Sequence, residues 1–162
     1  MAIHQYKVPV EIGQMTIDGS VTAGRLYGGI QRSAADAAFT INPTDSLVIL
    51  AADVSASRIV TLPPAVAGRH FVVIWEVEQD SHNRVFTRAG SDTIGGNITT
   101  KVQGDAAGDG DVVAVAITTA AITTLPDVNI GSYLKFTCGV AGQWLVEGEL
   151  VLSAVGQVPT LA

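Results

Sequence analysis

The chain has 162 residues, of which 48% are hydrophobic and 15% charged, and its formal net charge is −6 with nine Lys and Arg. Because these few cations are scattered and form no basic stripe that could neutralise phosphates, we expect no nucleic-acid partner. The longest apolar runs, residues 47–52 and 112–117, are far shorter than the about 20 residues that cross a bilayer, which argues against a membrane partner.

A chain of this length fits one domain, so we assign residues 1–162 to a single β domain. Residues 1–18 are a candidate N-terminal arm and residues 153–162 a candidate C-terminal tail. Residues 1–25 lack the continuous apolar stretch of a secretory signal, which predicts synthesis in the cytoplasm. The low charge content has two open explanations: apolar surface buried between subunits, or a neutral β surface rich in Thr and Gly.

Short segments rich in Val, Ile, Thr and aromatic residues are separated by 17 glycines and six prolines, which is typical of strands joined by turns. Residues 33–38 favour at most one short helical turn. The candidate strands, in chain order, are residues 6–12, 19–27, 39–41, 47–52, 58–62, 70–78, 84–88, 97–103, 112–118, 131–138 and 143–152.

Alternation of apolar and polar residues is clearest in three of these segments. The apolar positions of the first are Tyr6, Val8, Val10 and Ile12. Those of residues 70–78 are Phe71, Val73, Trp75 and Val77, and those of residues 143–152 are Trp144, Val146, Leu150 and Leu152. A period of two predicts half-buried strands.

These strands predict an all-β fold: a β-sandwich or jelly-roll-like antiparallel module of about ten short strands, with extended N- and C-terminal segments. Residues 80–83, rich in turn-forming side chains, are expected to join two strands as a hairpin. Residues 104–111 are expected to form a mobile loop, and residues 118–127 a long hairpin or an insertion.

Two glutamate pairs are the first candidates for catalysis. Glu76 with Glu78, and Glu147 with Glu149, are expected about 6–7 Å apart on one strand face, near the separation of carboxylates in glycosidases. Alternation with polar residues outward produces such pairs on any solvated sheet face, and we favour this second explanation.

Metal ligands are the next candidates. Asp105, Asp109 and Asp111 form an acidic, Gly-rich stretch that could offer oxygen ligands to calcium, although its spacing departs from an EF-hand loop and a flexible turn is the favoured explanation. The histidines, which lack helical pairing, predict no zinc site; they are His4, His70 and His82.

No nucleophile motif is present: the sequence has neither a Gly-x-Ser-x-Gly elbow nor a Gly-x-x-x-x-Gly-Lys phosphate loop. The single cysteine, Cys138, excludes an intramolecular disulfide and shares strand parity with Leu134 and Phe136, so we expect it in the core. We therefore predict no enzyme activity, no catalytic, cofactor or metal site, and no small-molecule substrate.

Four stretches of the chain resemble virion proteins of tailed bacteriophages: residues 58–71, 89–96, 131–136 and 143–148. Capsid decoration (cement) proteins and tail-fibre modules often carry a Thr-Leu-Pro strand end, an Ala-Gly turn, an Ala-Gly-x-Asp-Thr-Ile segment and a closing Trp-x-Val-x-Gly strand. In this pattern Pro63 and Pro64 are expected to end a strand, and Trp144 to anchor the core. Turns are expected at Gly68 and at residues 95–96.

The resemblance implies a structural protein on the capsid surface of a virion, made in the host cytoplasm, that binds major capsid proteins as a homotrimer. Residues 1–12 or the tail would then reach a neighbouring chain. The alternative is a tail-fibre module that binds a receptor or glycan, for which the candidate aromatic residues are Tyr6, Tyr27 and Tyr133.

Overall fold

The computed structural model of the protein describes residues 29–80, 82–102, 111–124, 126–152 and 160–161. These residues form twelve strands and no helix. The strands are β1 (Gly29–Ser33), β2 (Phe39–Thr40), β3 (Asp45–Leu50), β4 (Arg58–Thr61), β5 (His70–Trp75), β6 (Arg84–Thr87), β7 (Thr93–Val102), β8 (Asp111–Thr119), β9 (Ala121–Thr123), β10 (Tyr133–Val140), β11 (Gln143–Leu152) and β12 (Thr160–Leu161).

The strands form two sheets. A seven-stranded sheet has the order β1-β3-β5-β10-β11-β7-β8, and a five-stranded sheet has the order β12-β9-β6-β4-β2. From β1 to β6 the chain alternates between the sheets, so each sheet receives three parallel strands. The hairpin β10–β11 then enters the larger sheet between β5 and β7, antiparallel to β5 and parallel to β7.

The all-β prediction is confirmed, but the expected antiparallel, jelly-roll-like pairing is wrong because both sheets are mixed. The reason is visible after β5. Residues 76–83 carry the chain from the seven-stranded sheet to β6 of the five-stranded sheet, so the predicted hairpin at residues 80–83 does not form. Turn-forming side chains fix where a chain reverses, but not which sheet receives the next strand.

Several local predictions are also corrected. The predicted helical turn at residues 33–38 is absent, since β1 ends at Ser33 and bends follow. Strand β5 ends at Trp75 instead of residue 78, and residues 95–96 lie inside β7 instead of forming a turn. The predicted strands at residues 6–12 and 19–27 lie outside the described residues, as do residues 104–110 of the predicted loop.

One core lies between the two sheets and is rich in aromatic residues. Phe71 and Phe136 of the larger sheet stack at a centroid distance of 5.0 Å, and Phe136 lies 5.9 Å from Phe86 of the smaller sheet. Trp144 is fully buried, which confirms its predicted place in the core. Cys138 is buried in the same cluster, as its strand parity predicts.

Candidate functional site

The outer face of the seven-stranded sheet points away from the core and presents side chains of neighbouring strands in rows. Its residues follow from the register of neighbouring strands. One row across the sheet runs through Ile30, Leu47, Val72, Lys135, Glu147 and Asn97. The next row runs through Arg32, Ile49, Ile74, Tyr133, Glu149 and Thr99.

The part of this face on β1, β3 and β5 is apolar, and we call it the apolar half. It consists of Ile30, Leu47, Ile49, Val72 and Ile74. Ile30 is 66% exposed, and the other four are half-buried by their neighbours on the sheet. Since β3 and β5 also bury apolar residues on the inner face, these strands are apolar on both sides, as is usual for parallel strands that are covered twice.

The part of the face on β10, β11 and β7 is polar, and we call it the polar half. It consists of Lys135, Glu147, Glu149, Asn97, Thr99 and Lys101. Its charges are paired, because Lys135 lies 2.5 Å from Glu147 and Lys101 lies 2.6 Å from Glu149. All four of these side chains are accessible to water, so the two pairs keep the polar half solvated and locally neutral.

The glutamate pairs predicted from the sequence do not share one arrangement. Glu147 and Glu149 lie on one face of β11, as expected, each beside a lysine. For Glu76 and Glu78 the expectation is wrong, because β5 ends at Trp75 and neither residue lies on a strand. Glu76 forms an ion pair with Arg32 at the border of the apolar half.

A shallow depression of about 460 Å³ crosses the polar half. Its walls include Tyr133, Leu145, Glu147, Asn97 and Thr99. Tyr133 is 42% exposed and Leu145 is 45% exposed, so the depression combines apolar surface with carboxylate, amide and hydroxyl groups. Of the three tyrosines predicted as candidates for glycan binding, Tyr133 is in this depression, whereas Tyr6 and Tyr27 lie outside the described residues.

Asp36 links the loop after β1 to the loop after β3 and to the start of β4. It follows β1, and its carboxylate accepts hydrogen bonds from the backbone and side chain of Ser55 and from Nε of Arg58 at 2.7 Å. These hydrogen bonds, that of Arg58 foremost, hold the pKa of Asp36 well below its usual range. The cluster is an electrostatic link between two loops and the start of β4.

Arg84 is a fully buried cation at the edge of the core. Its Nε donates to Oε1 of Gln79 at 3.2 Å, and its Nη2 donates to the carbonyl of Ala52 at 2.8 Å. Burial lowers the pKa of Arg84, and the charges of Asp36 and Asp53 oppose that effect. The group is enclosed and held by protein atoms, which is the arrangement of a structural cation.

Half of the candidate metal ligands lie outside the part of the chain that the structure describes, and within that part no group of three or more His, Cys, Asp or Glu could hold an ion. His70 is exposed at the start of β5, and His82 is half-buried before β6. Asp111 begins β8 and pairs with Thr100. Asp105, Asp109 and His4 lie outside the described residues, so the calcium hypothesis stays a prediction.

Hydrogen bonds join three of the four stretches that carry the phage resemblance, residues 58–71, 89–96 and 143–148. Trp144 Nε1 donates to the carbonyl of Pro63 at 3.1 Å, and the carboxylate of Asp92 accepts the backbone N–H of Ala65 at 2.7 Å. Gly68 has a φ of 85°, which confirms its predicted turn. Pro63, Ala65, Gly68 and Trp144 therefore build the fold, whereas other residues of the four stretches line the depression, namely Tyr133, Leu145 and Glu147.

The apolar half was not predicted from the sequence. The continuous apolar runs of β3 and β5 indicate it, because Leu47, Val72 and Ile74 are apolar at positions where a strand with one solvated side carries polar residues. The larger side chains of residues 70–78 alternate, and this alternation taken alone predicts a strand that is buried on one side only. Strand β1, which adds Ile30, was not predicted because Gly29, Gln31 and Arg32 are not typical of strands.

No helix among the described residues is long and apolar enough to cross a membrane. Comparisons with known protein families, with curated proteins and with solved structures find no match to the chain.

Proposed function

We propose that the protein is a structural virion protein without catalytic activity: a decoration (cement) protein that stabilises the head of a tailed phage by binding major capsid proteins. The observation that carries the proposal is the apolar half of the outer face. Five aliphatic residues on three adjacent strands form a continuous patch, and such patches mark surfaces that assemble with other proteins.

The kind of assembly follows from the resemblance of the sequence. Three of its four stretches are joined by the hydrogen bonds from Trp144 to Pro63 and from Ala65 to Asp92, so the similarity to capsid decoration proteins includes residues that touch one another. We propose a homotrimer on the capsid surface, made in the host cytoplasm, in which residues 1–12 or the C-terminal tail reach a neighbouring chain.

The experiment is a binding assay on heads of the phage that encodes the chain, assembled without it. Purified protein is mixed with these heads, and the bound fraction is measured by sedimentation. We expect saturable binding by the parent chain and at least about 10-fold weaker binding by an Ile49→Lys variant, because a charge at an apolar contact is desolvated without a partner. Heads that bind no parent protein would overturn the proposal.

Thr99→Lys is the matched control. Thr99 lies in the same row as Ile49 but in the polar half, and it is also half-buried. We expect this variant to bind heads like the parent chain. Equal losses in the two variants would mean that binding does not depend on the apolar half.

A second candidate function is a tail-fibre or receptor-binding module that recognises glycans. The depression beside Tyr133 favours it, since sugars bind shallow surfaces that combine an exposed ring with carboxylate and amide groups. A glycan array would support this function if a signal of the parent chain is lost in Tyr133→Ala and kept in Ile49→Lys. An array without signal would contradict it.

A further inference from the structure

We propose that the apolar half of the outer face is the docking site for residues 6–12 of a second copy of this chain. The inference deepens the proposed function and rests on it. The copies would join through the apolar half, and the trimer so formed would bind the heads, so Ile49→Lys would weaken head binding by dissociating the trimer. Three features favour this occupant: its side-chain pattern, its length and the position at which the described chain begins.

The side-chain pattern of the occupant matches the face. Residues 6–12 alternate, with Tyr6, Val8, Val10 and Ile12 at every second position. An extended segment of seven residues is about 20 Å long, and the four strands from β1 to β10 are about 14 Å across, so the segment can cross the apolar half. Its apolar side would then cover the aliphatic side chains of β1, β3 and β5 and reach the ring of Tyr133 or the stem of Lys135 on β10.

The charges are compatible with this contact. Lys7 and Glu11 alternate with the apolar positions of the segment, so they can stay in water when those positions are buried. On the sheet, the charged residues in the same rows are all paired. Arg32 is bound to Glu76 at 2.5 Å. The others belong to the two ion pairs of the polar half described above and are Lys135, Glu147 and Glu149. The contact therefore buries no unpaired charge, which is the main cost of closing such a surface.

The place where the described chain begins favours a second copy over the same copy. Gly29 pairs with Asp45 at the start of β3, and its N–H donates to the carbonyl of Thr44 at 3.2 Å. Since β1 and β3 are parallel, the chain enters β1 from the end of the sheet where β3 begins. To cover its own outer face, the segment would have to fold back over that end of the sheet, whereas a segment that continues away from the sheet could reach the face of a neighbour.

The length of the connection is sufficient for such an exchange. Residues 13–28 separate the proposed occupant from β1. Fully extended, these residues span at most about 55 Å, which exceeds the diameter of about 30 Å of a small domain. Every copy would donate one segment and receive one, and such a contact, repeated head to tail, can close into a ring such as the proposed trimer.

The test is cross-linking between two variants of the full chain, each with one added cysteine. Val10→Cys places a thiol in the occupant, and Ile74→Cys places one on the apolar half. Mixed in equal amounts and oxidised, they are expected to form a disulfide-linked pair of different chains in denaturing electrophoresis. Cys138 is buried, so it does not compete for either thiol.

Thr99→Cys replaces Ile74→Cys in the control, because it offers a thiol on the polar half of the same row. We expect at least about 10-fold less linked product with Val10→Cys. A linked product of equal yield would show unspecific collision and overturn the inference. Oxidation of one chain that carries both Val10→Cys and Ile74→Cys measures docking within a copy, and a closed monomer together with no product in the mixture would also overturn it.

Binding to heads separates this inference from the proposed function. If the cross-link fails while the parent chain binds heads, the docking inference is wrong and the decoration function stands. If the cross-link forms and the parent chain binds no heads, the copies join as inferred but the decoration function is wrong.

Discussion

The apolar half and the polar half of the seven-stranded sheet cover the same core and differ in what they present outward. Strand β5 has Val72 and Ile74 on its outer side, whereas β10 has Tyr133 and Lys135 at the paired positions. Both strands bury phenylalanine on the inner side. This difference indicates that a strand with a continuous apolar run is covered on both sides. A strand with alternating apolar and polar residues keeps one side in water.

The largest expected effects come from core residues beneath the two halves. They test whether both halves cover the same core. Phe71 lies under the apolar half and Phe136 under the polar half, and both are fully buried. Each change to alanine should lower the free energy of unfolding by about 3–5 kcal/mol, because both remove a ring and leave a cavity. Urea unfolding at equal protein concentration measures the two values. A small loss in one variant alone would mean that the two halves do not share one core.

A smaller effect is expected when an apolar residue of the outer face is replaced by a polar residue of similar size. Val72→Thr keeps the size and β-branching of the side chain and adds a hydroxyl to the apolar half. We expect self-association to weaken about 10-fold, equivalent to about 1.4 kcal/mol, while the unfolding of the monomer changes by less than about 1 kcal/mol, because Val72 is only half-buried. Sedimentation velocity over a dilution series measures the association.

Thr99→Val is the reverse exchange on the polar half. It should leave association unchanged, since Thr99 lies among polar side chains. If Val72→Thr and Thr99→Val shift association equally, the division of the face into two halves has no consequence for assembly.

Acid is expected to weaken the ends of the parallel strands through Asp36. The folded pKa of this carboxyl is lowered by Arg58 and Ser55, so its stabilising contribution is complete above the unfolded pKa of about 3.9 and is lost as the pH falls below it. Asp36→Asn should therefore be less stable than the parent chain at pH 6, and the difference should shrink toward pH 3. Thermal unfolding across this range checks the sign, and a difference that is constant with pH would contradict it.

For the polar half, the sequence predicts where a strand such as β11 lies better than it predicts which strand pairs with it. In β11 the buried Trp144 and Val146 alternate with the exposed Leu145 and Glu147, so period and length are both recovered. The pairing of β11 with β7 joins residues about 50 positions apart, for example Trp144 with Ile94, and no local pattern specifies such a contact. The parallel arrangement of β1, β3 and β5 is missed for the same reason.

The apolar half illustrates what a local pattern leaves undetermined. The run from Phe71 to Trp75 is apolar at every position, so alternation cannot tell which side faces the core. Only the contacts of Phe71 and Trp75 with aromatic residues of other strands assign the inner side. A patch formed by three strands that are distant in sequence exists only after the sheet is assembled.

The smallest expected effect concerns the ion pairs of the polar half. Lys135 and Glu147 are both accessible to water, and exposed pairs of this kind contribute about 0.2–1 kcal/mol and weaken with salt. A double-mutant cycle with Lys135→Met and Glu147→Gln, measured by urea unfolding, should give a coupling energy in this range at low salt and close to zero at 1 M salt. Association through the apolar half should instead persist or strengthen at high salt, because apolar contacts are not screened. If salt dissociated the copies and left the coupling of Lys135 with Glu147 intact, the charges would belong to the interface and the assignment of the two halves would be reversed.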